Sequence, residues 1–538
     1  MSNQDYKILD QCTKKPTAKL FDTANVICEH PMDQDVIAAL SELKNKIGES
    51  DDDYEIFRYR DEADKLWIML LEKAIKCLRF YDGREPFRDK SEDKKPKAYG
   101  IEDIKDYYKK YGEFERVLYG SSRYYRDHVI HVLRTWLSGI GLLTKNKGKY
   151  LEKIAIKEKN VRLNINNVEK ISMWTIIALT HDLGYPLEKA KDIISVTQNM
   201  LATFIANPDV SVDFAFHGVQ NYMNDYIVRL ISSKMEESKL PAHRDIVEKD
   251  KNNEEQEKGK EKKYYVARLQ SKYYFKFQKS LERNSHGILS TLIIYKLLTY
   301  FLESDYSVNE DYYFDDEECR QFYIRREILR AIASHTCNEV YQMYMGSFSF
   351  LLRICDDTQE WGRKNISELY VKSKQKYELK DIGIVFGNSN QGNTCTVQEE
   401  ITVQDREDVV SLIQRFREQA LVYVTIFRDG QDTSRRDFSF ERILTIKTDD
   451  NVEIKMSLSV DKEKASQLIG ELKYTSDEDK NSAFGHKFYE DIAKGCQWKI
   501  YNNNKEILLQ SGTDIKEDNE SASAAAWEKG EFTILLMN

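Results

Sequence analysis

The hydrophobic period of the chain changes once, near Ser367, and this change restricts the fold more than any other feature of the sequence. Before it, residues 127–140, 171–180, 288–302, 325–334 and 348–355 each repeat apolar side chains at helical spacing. After it, residues 421–427 alternate as a strand does and stop at the turn signal Asp429-Gly430. Residues 442–448, 452–460, 497–501, 506–510 and 532–537 are strand-like too, with helical patterns at 409–420, 463–472 and 484–493. The expected architecture is a mainly α-helical domain followed by an α+β accessory domain.

At roughly 100 to 200 residues per domain, 538 residues call for more than one core. Residues 34–78 read as helices through Val36, Leu40 and Leu43 and through Leu66, Leu70 and Ala74. Residues 82–100, with Pro86 and Pro96 in a charged run, read as a linker. The expected division is an N-terminal helical segment with its linker (1–100), a helical domain (101–366) and the accessory domain (367–538). An insertion is expected at about 190–280, in which 210–239 hold one or two helices and 247–263 form a charged, solvated excursion.

With 90 acidic against 81 basic residues, the formal charge of -9 argues against a surface that coats a nucleic-acid backbone, while leaving room for a local basic pocket. The eight cysteines form no CxxC pair, as expected for buried thiols of a reducing compartment, and a thiolate zinc site is not expected. The first twenty residues contain no apolar leader segment, and 288–302, interrupted by Lys296, fall short of the roughly 20 residues needed to span a bilayer. A cytoplasmic protein without a membrane partner is expected.

The chemistry lies in the histidines, of which the chain has nine. His128, His131, His181, His286 and His335 occupy apolar helix positions or helix ends, whereas His30, His243 and His486 read as surface or turn residues. Imidazole and carboxylate together suit Fe, Mn, Mg or Zn. Adjacent His181 and Asp182 diverge by about 100 degrees on a helix, so both reach one ion only near a helix end, which Gly184 and Pro186 supply. A carboxylate has two oxygens and can hold two ions, so Asp182 is the natural bridge of a two-metal site. No phosphate loop, Rossmann fingerprint, HExxH, GxSxG or EF-hand pattern is present.

The ordered series His128, His181-Asp182, His286, His335 and Asp356, set in Arg126-Asp127-His128, Thr180-His181-Asp182-Leu183-Gly184 and Leu351-Leu352-Arg353-Ile354-Cys355-Asp356, resembles the HD-domain metal-dependent phosphohydrolases between about 124 and 363. The resemblance implies an HD-type helical domain in which one divalent ion takes His128, His181, Asp182 and Asp356, and a second takes Asp182, His286 and His335. His131 competes with His128, Asp357 with Asp356, and His217 with the third histidine. Many members carry a lysine three positions after the aspartate of the pair; here that position is Tyr185, and Lys189 is the nearby substitute. Asp182 and Lys189 are therefore the catalytic candidates, and Arg126, Tyr185, Lys189, Arg283 and Arg353 the candidates for binding substrate. Arg353 has the alternative of pairing with Asp356 or Asp357, while Glu360, Trp361 and Arg363 are candidates for a pocket wall.

The implied activity is hydrolysis of a phosphoester in a nucleotide or cyclic (di)nucleotide by metal-activated water. A metal- or nucleotide-binding sensor acting through a protein partner is the alternative. A small phosphorylated substrate is the expected partner rather than a nucleic acid, and exposed strand edges in the accessory domain would suit a second copy of the chain.

Overall fold

Up to residue 363 the computed structural model describes residues 4–14, 20–21, 28–48, 55–82, 98–121, 126–154, 157–158, 161–163, 165–206, 219–239, 263–308, 311–337, 339, 346–359 and 363. Beyond that it describes the strands named below and residues 409, 411–416, 419 and 423, which are helical. The chain forms two compact units, one of Met1–Val340 with Gly346–Gln359 and one of Tyr341–Met345 with Glu360–Asn538.

The first unit is helical. Its helices are α1 (Gln4–Thr13), α2 (Gln34–Ile47), α3 (Arg60–Tyr81), α4 (Ile101–Ser121), α5 (Val129–Lys153), α6 (Asn167–Thr180), α7 (Tyr185–Leu201), α8 (Val219–Ser232), α9 (Ser271–Glu282), α10 (His286–Leu297), the single turn α11 (Thr299–Leu302), α12 (Asp316–His335) and α13 (Phe348–Thr358). Helix α6 is apolar on every side, which only a central helix can be. All its residues except Asn167 and Lys170 are buried, and α3, α5 and α12 pack around it. A reciprocal cap between Asn166 and Glu169 fixes its start. Indole hydrogen bonds then tie the layers together: Trp67 Nε1 donates to the Leu179 carbonyl at 3.0 Å, Trp136 Nε1 to Thr175 Oγ1 at 2.9 Å and Trp174 Nε1 to the Trp136 carbonyl at 3.1 Å.

The N-terminal helices, expected as a segment of their own, belong to this core. Helix α1 lies on α5, where Arg134 donates to Asp5 at 2.9 and 2.7 Å and neither side chain is exposed. Truncating one partner leaves an uncompensated buried charge, so Asp5→Ala should cost about 3 to 5 kcal/mol, read as a lower urea midpoint at unchanged slope.

Between α7 and α9, of the one or two helices expected over 210–239, α8 is present, residues 210–218 lie outside the described residues, and the end of the stretch is a strand. Helix α8 passes at Ser232 into strand β3 (Ser233–Ser238), which pairs antiparallel with β4 (Tyr264–Leu269). The charged run at 247–263 falls between these paired strands and, up to Lys262, outside the described residues. A short antiparallel pair, Lys157–Glu158 with Val161–Arg162 (β1 and β2), follows α5.

Among the described residues, the second unit is built on an eight-stranded sheet: β5 (Tyr377–Ser389), β6 (Gly392–Val403), β7 (Phe438–Thr448), β8 (Glu453–Val460), β9 (Gln467–Tyr474), β10 (Trp498–Asn502), β11 (Lys505–Ile507) and β12 (Ile534–Leu535). The order is 11-10-9-8-7-6-5, with β12 also on β9, and all pairs are antiparallel except β6 with β7 and β9 with β10. The helical core and the strand-rich C-terminal part thus follow the expected fold class. Two local expectations fail. Residues 467–472, expected in a helix, form β9 between β8 and β10, because backbone pairing on both sides outweighs a weak helical spacing. Within the expected strand 421–427, the one described residue, Tyr423, is helical and stacks on Phe440 at 5.0 Å. The expected helix at 484–493 lies outside the described residues. No described helix is long and apolar enough to cross a membrane.

Candidate metal centre

Five helix ends of the first unit converge on one buried cluster. Helix α5 enters it with its first turn, whose start is fixed by two buried carboxylates. Asp127 accepts from the Ile130 and His131 amides at 2.9 and 3.2 Å, and Glu115 from those of His128 and Val129 at 2.8 and 3.3 Å. Both acids satisfy amides that a helix start leaves without partners. Helix α6 ends at Thr180, and His181 and Asp182 stand in the turn after it, which solves the divergence of neighbouring side chains.

Gly184 makes that turn possible. A Cβ there would lie 2.4 Å from the His286 carbonyl oxygen and 2.7 Å from Leu289 Cβ, and its amide donates to Ser290 Oγ at 2.8 Å. Gly287 does the same for the next contact, since its Cβ would meet the Ile332 carbonyl oxygen at 2.7 Å. Together they bring the start of α10, with His286, against the end of α12, with His335. Asp356 comes from the last turn of α13.

Two groups result that are each able to hold a metal ion: His131, His181 and Asp356, and His181, Asp182 and His335. Asp182 divides its oxygens between opposite sides. Its Oδ2 faces the Nε2 atoms of His181 at 3.5 Å and His131 at 3.7 Å, while its Oδ1 faces those of His286 at 3.4 Å and His335 at 3.5 Å. Asp356 Oδ1 lies 2.9 Å from His131 Nε2 and 3.8 Å from His181 Nε2.

The far side of each ring is held as metal-binding imidazoles are usually held. His181 Nδ1 donates to the Ala178 carbonyl at 2.8 Å, His335 Nδ1 to that of Ile332 at 2.6 Å, His286 Nδ1 to Glu188 at 2.8 Å, and His131 Nδ1 pairs with Gln359 Oε1. Every Nε2 is thereby left toward the cluster. Those of His181 and His335 are buried without a hydrogen-bond partner among the described residues, which a buried polar atom rarely is. An N- and O-donor set with such orphaned atoms fits a divalent cation.

The charges are consistent with this. Burial opposes ionisation of Asp182 and Asp356, yet the surrounding histidines hold both well below the usual carboxylate range. For His181 burial works against the charged form, but Asp182 and Asp356 outweigh it and raise its pKa from 6.5 to about 9. In the metal-free protein the stabilisation from charged His181 is therefore complete below about pH 6.5 and disappears as the pH rises through about 9. A cation must displace that proton. Metal binding should release a proton and tighten with pH up to about 9, as calorimetry in buffers of different ionisation enthalpy would show.

Among the candidates named from sequence, His181, Asp182, His286, His335 and Asp356 come together. His128, expected as the first ligand, precedes the first helical residue and stacks on Tyr185 with ring centroids 3.8 Å apart; the ring turned to the carboxylates is that of His131. Asp357 pairs with Arg353 at 2.9 Å. Arg353 also donates to the His335 carbonyl, so it fastens α13 to α12 beside the cluster. Arg283 is exposed and pairs with Glu339 at 3.4 Å. Lys189 Nζ sits 5.6 Å from the centre of the Tyr185 ring, which meets His286 edge-on, and Arg126 is half-buried two residues before His128. Arg363 is half-buried, while His217, His243, His486, Glu360 and Trp361 lie outside the described residues. His30, expected as a surface or turn residue, opens a turn, its carbonyl accepting from the Asp33 amide at 3.1 Å, but it is buried there, and its Nδ1 accepts from the Met32 amide at 3.2 Å.

Glu188 and Gln359, the partners of His286 and His131, were not among the candidates. An acid in the first turn of a helix is common enough to carry no functional signal, and the amide follows α13 without any motif. No family model, curated protein or solved structure matches the chain. The reading of the site therefore rests on its geometry.

Proposed function

We propose that the chain is a metal-dependent phosphohydrolase or phosphodiesterase of the HD type, acting on a nucleotide or cyclic (di)nucleotide. The observation that carries this reading is the division of the Asp182 oxygens between two pairs of histidines, the arrangement a carboxylate needs to bridge two ions. In this reading His131, His181, Asp182 and Asp356 hold one ion, and Asp182, His286 and His335 the other, so that His131 takes the role expected of His128. Two cations held there would lower the pKa of bound water and neutralise charge on phosphoryl oxygens.

The protein's own contribution is orientation. Glu188 and the carbonyls of Ala178 and Ile332 fix the imidazole tautomers, and Gln359 fixes that of His131. Tyr185, whose ring stacks on His128 and has Lys189 Nζ 5.6 Å from its centre, is assigned with Lys189 and Arg126 to substrate binding, the two cations to the phosphate. Arg353 and Arg283, engaged with Asp357 and Glu339, are given no part in this.

Metal analysis of the purified protein, followed by assays of cyclic dinucleotides, cyclic mononucleotides and nucleoside triphosphates under Mn, Fe, Co, Ni and Mg loading, tests the reading. A linear dinucleotide or 5'-monophosphate product identifies a phosphodiesterase, and inorganic triphosphate a triphosphohydrolase. No turnover of any substrate by metal-loaded protein removes the proposal. The sensor alternative draws on Tyr185, an uncharged residue where many members carry lysine; tight nucleotide binding without turnover would favour it.

A further inference from the structure

Helix α4 presents three polar side chains one turn apart, Tyr107, Tyr111 and Glu115, and the outer two are anchored on opposite margins of the metal cluster. Tyr107 donates its hydroxyl to the Leu183 carbonyl at 2.7 Å, one residue after Asp182. Glu115 accepts from the His128 and Val129 amides at the start of the helix that carries His131. Residues four apart lie above one another on a helix, so Tyr111 stands between these two anchors and faces the gap between the His181-Asp182 turn and the start of α5.

The Tyr111 side chain is 3% exposed, and its hydroxyl has no hydrogen-bond partner among the described residues. Leaving a buried hydroxyl unsatisfied is costly, and nearly all such groups in folded proteins find a partner. Burial, followed by the nearby carboxylates of Glu115, Asp182 and Asp127, keeps the phenol protonated, so it acts as a donor. An oxygen that enters the site from outside would supply the acceptor it lacks.

We propose that Tyr111 donates its hydroxyl to a phosphoryl oxygen of the substrate and is a substrate-binding residue of this centre. The assignment rests on the phosphohydrolase reading. It differs from the roles given to Lys189 and Arg126, because a buried neutral donor selects an oxygen by position and adds no charge.

The test is Tyr111→Phe, which removes one oxygen and preserves the ring. Inorganic phosphate binding to metal-loaded protein is measured by calorimetry, and the melting temperature is measured on metal-free protein, with Tyr107→Phe as the control. The expected result is an unchanged or higher melting temperature and unchanged metal content for Tyr111→Phe. Its phosphate affinity should be weaker by about 10- to 100-fold, the usual worth of a hydrogen bond to a charged group. Tyr107→Phe should melt lower, showing that the assay detects a lost structural hydroxyl bond. A clear drop in melting temperature for Tyr111→Phe would mean that its hydroxyl is satisfied within the protein and would overturn the assignment. Equal phosphate affinity for the variant and the wild type would overturn it alone and leave the phosphohydrolase reading intact. Failure of the metal-loaded wild type to bind phosphate at all would remove both.

Discussion

Asp182→Ala should yield a folded protein that retains well below one metal ion per chain and loses activity by about three orders of magnitude. The expectation follows from the two oxygens of this carboxylate, which face His131 and His181 on one side and His286 and His335 on the other. Removing a ligand of one ion spares the other; removing this side chain weakens both together. Replacement of His335 should instead deplete mainly one of the two. The fold should survive, because Asp182 is an anion taken out of water and, in the metal-free protein, rests mainly on the histidines it faces. Metal analysis and circular dichroism on the same preparation decide the matter. A folded variant with two ions per chain and normal turnover would show that Asp182 is only part of a helix end.

The second large effect separates two histidines one turn apart. His131→Gln should weaken the ion on the Asp356 side by at least about 100-fold, beyond what loss of an orienting partner costs. His128→Gln should leave metal content at the wild-type level, because this ring stacks on Tyr185 while that of His131 lies 2.9 Å from Asp356. The change at His128 should appear in the binding of an aromatic substrate rather than of metal. Loss of metal in the His128 variant with retention in the His131 variant would reverse the assignment.

The choice between these histidines shows where sequence reasoning stops. Their spacing reads the same whichever one lies inside the helix; what separates them is where α5 begins, and that is fixed by Glu115, which belongs to a different helix, together with Asp127. The five other cluster residues were legible as an ordered series with an apolar helical run beside most of them. Glu188, Gln359 and Tyr111 were not, since each matters only for what another segment brings beside it. In the second unit, β7 and β8 alternate clearly and were readable, whereas β9 was misread because pairing on both sides, absent from any local window, decides its conformation.

Because the cluster is made of helix ends, an ion bound there would also act as a staple. It would join segments as far apart as His131 and Asp356, 225 positions along the chain, and so close several long loops through a single point. Closing long loops removes much of the freedom of an unfolded chain, so such a staple contributes mechanical integrity as well as reactivity. The cost falls on the metal-free chain, which must hold five helix ends and their crowded carboxylates and imidazoles together by packing and by the hydrogen bonds and charge attractions within the cluster. In a cell, the supply of metal would then govern how long each molecule survives.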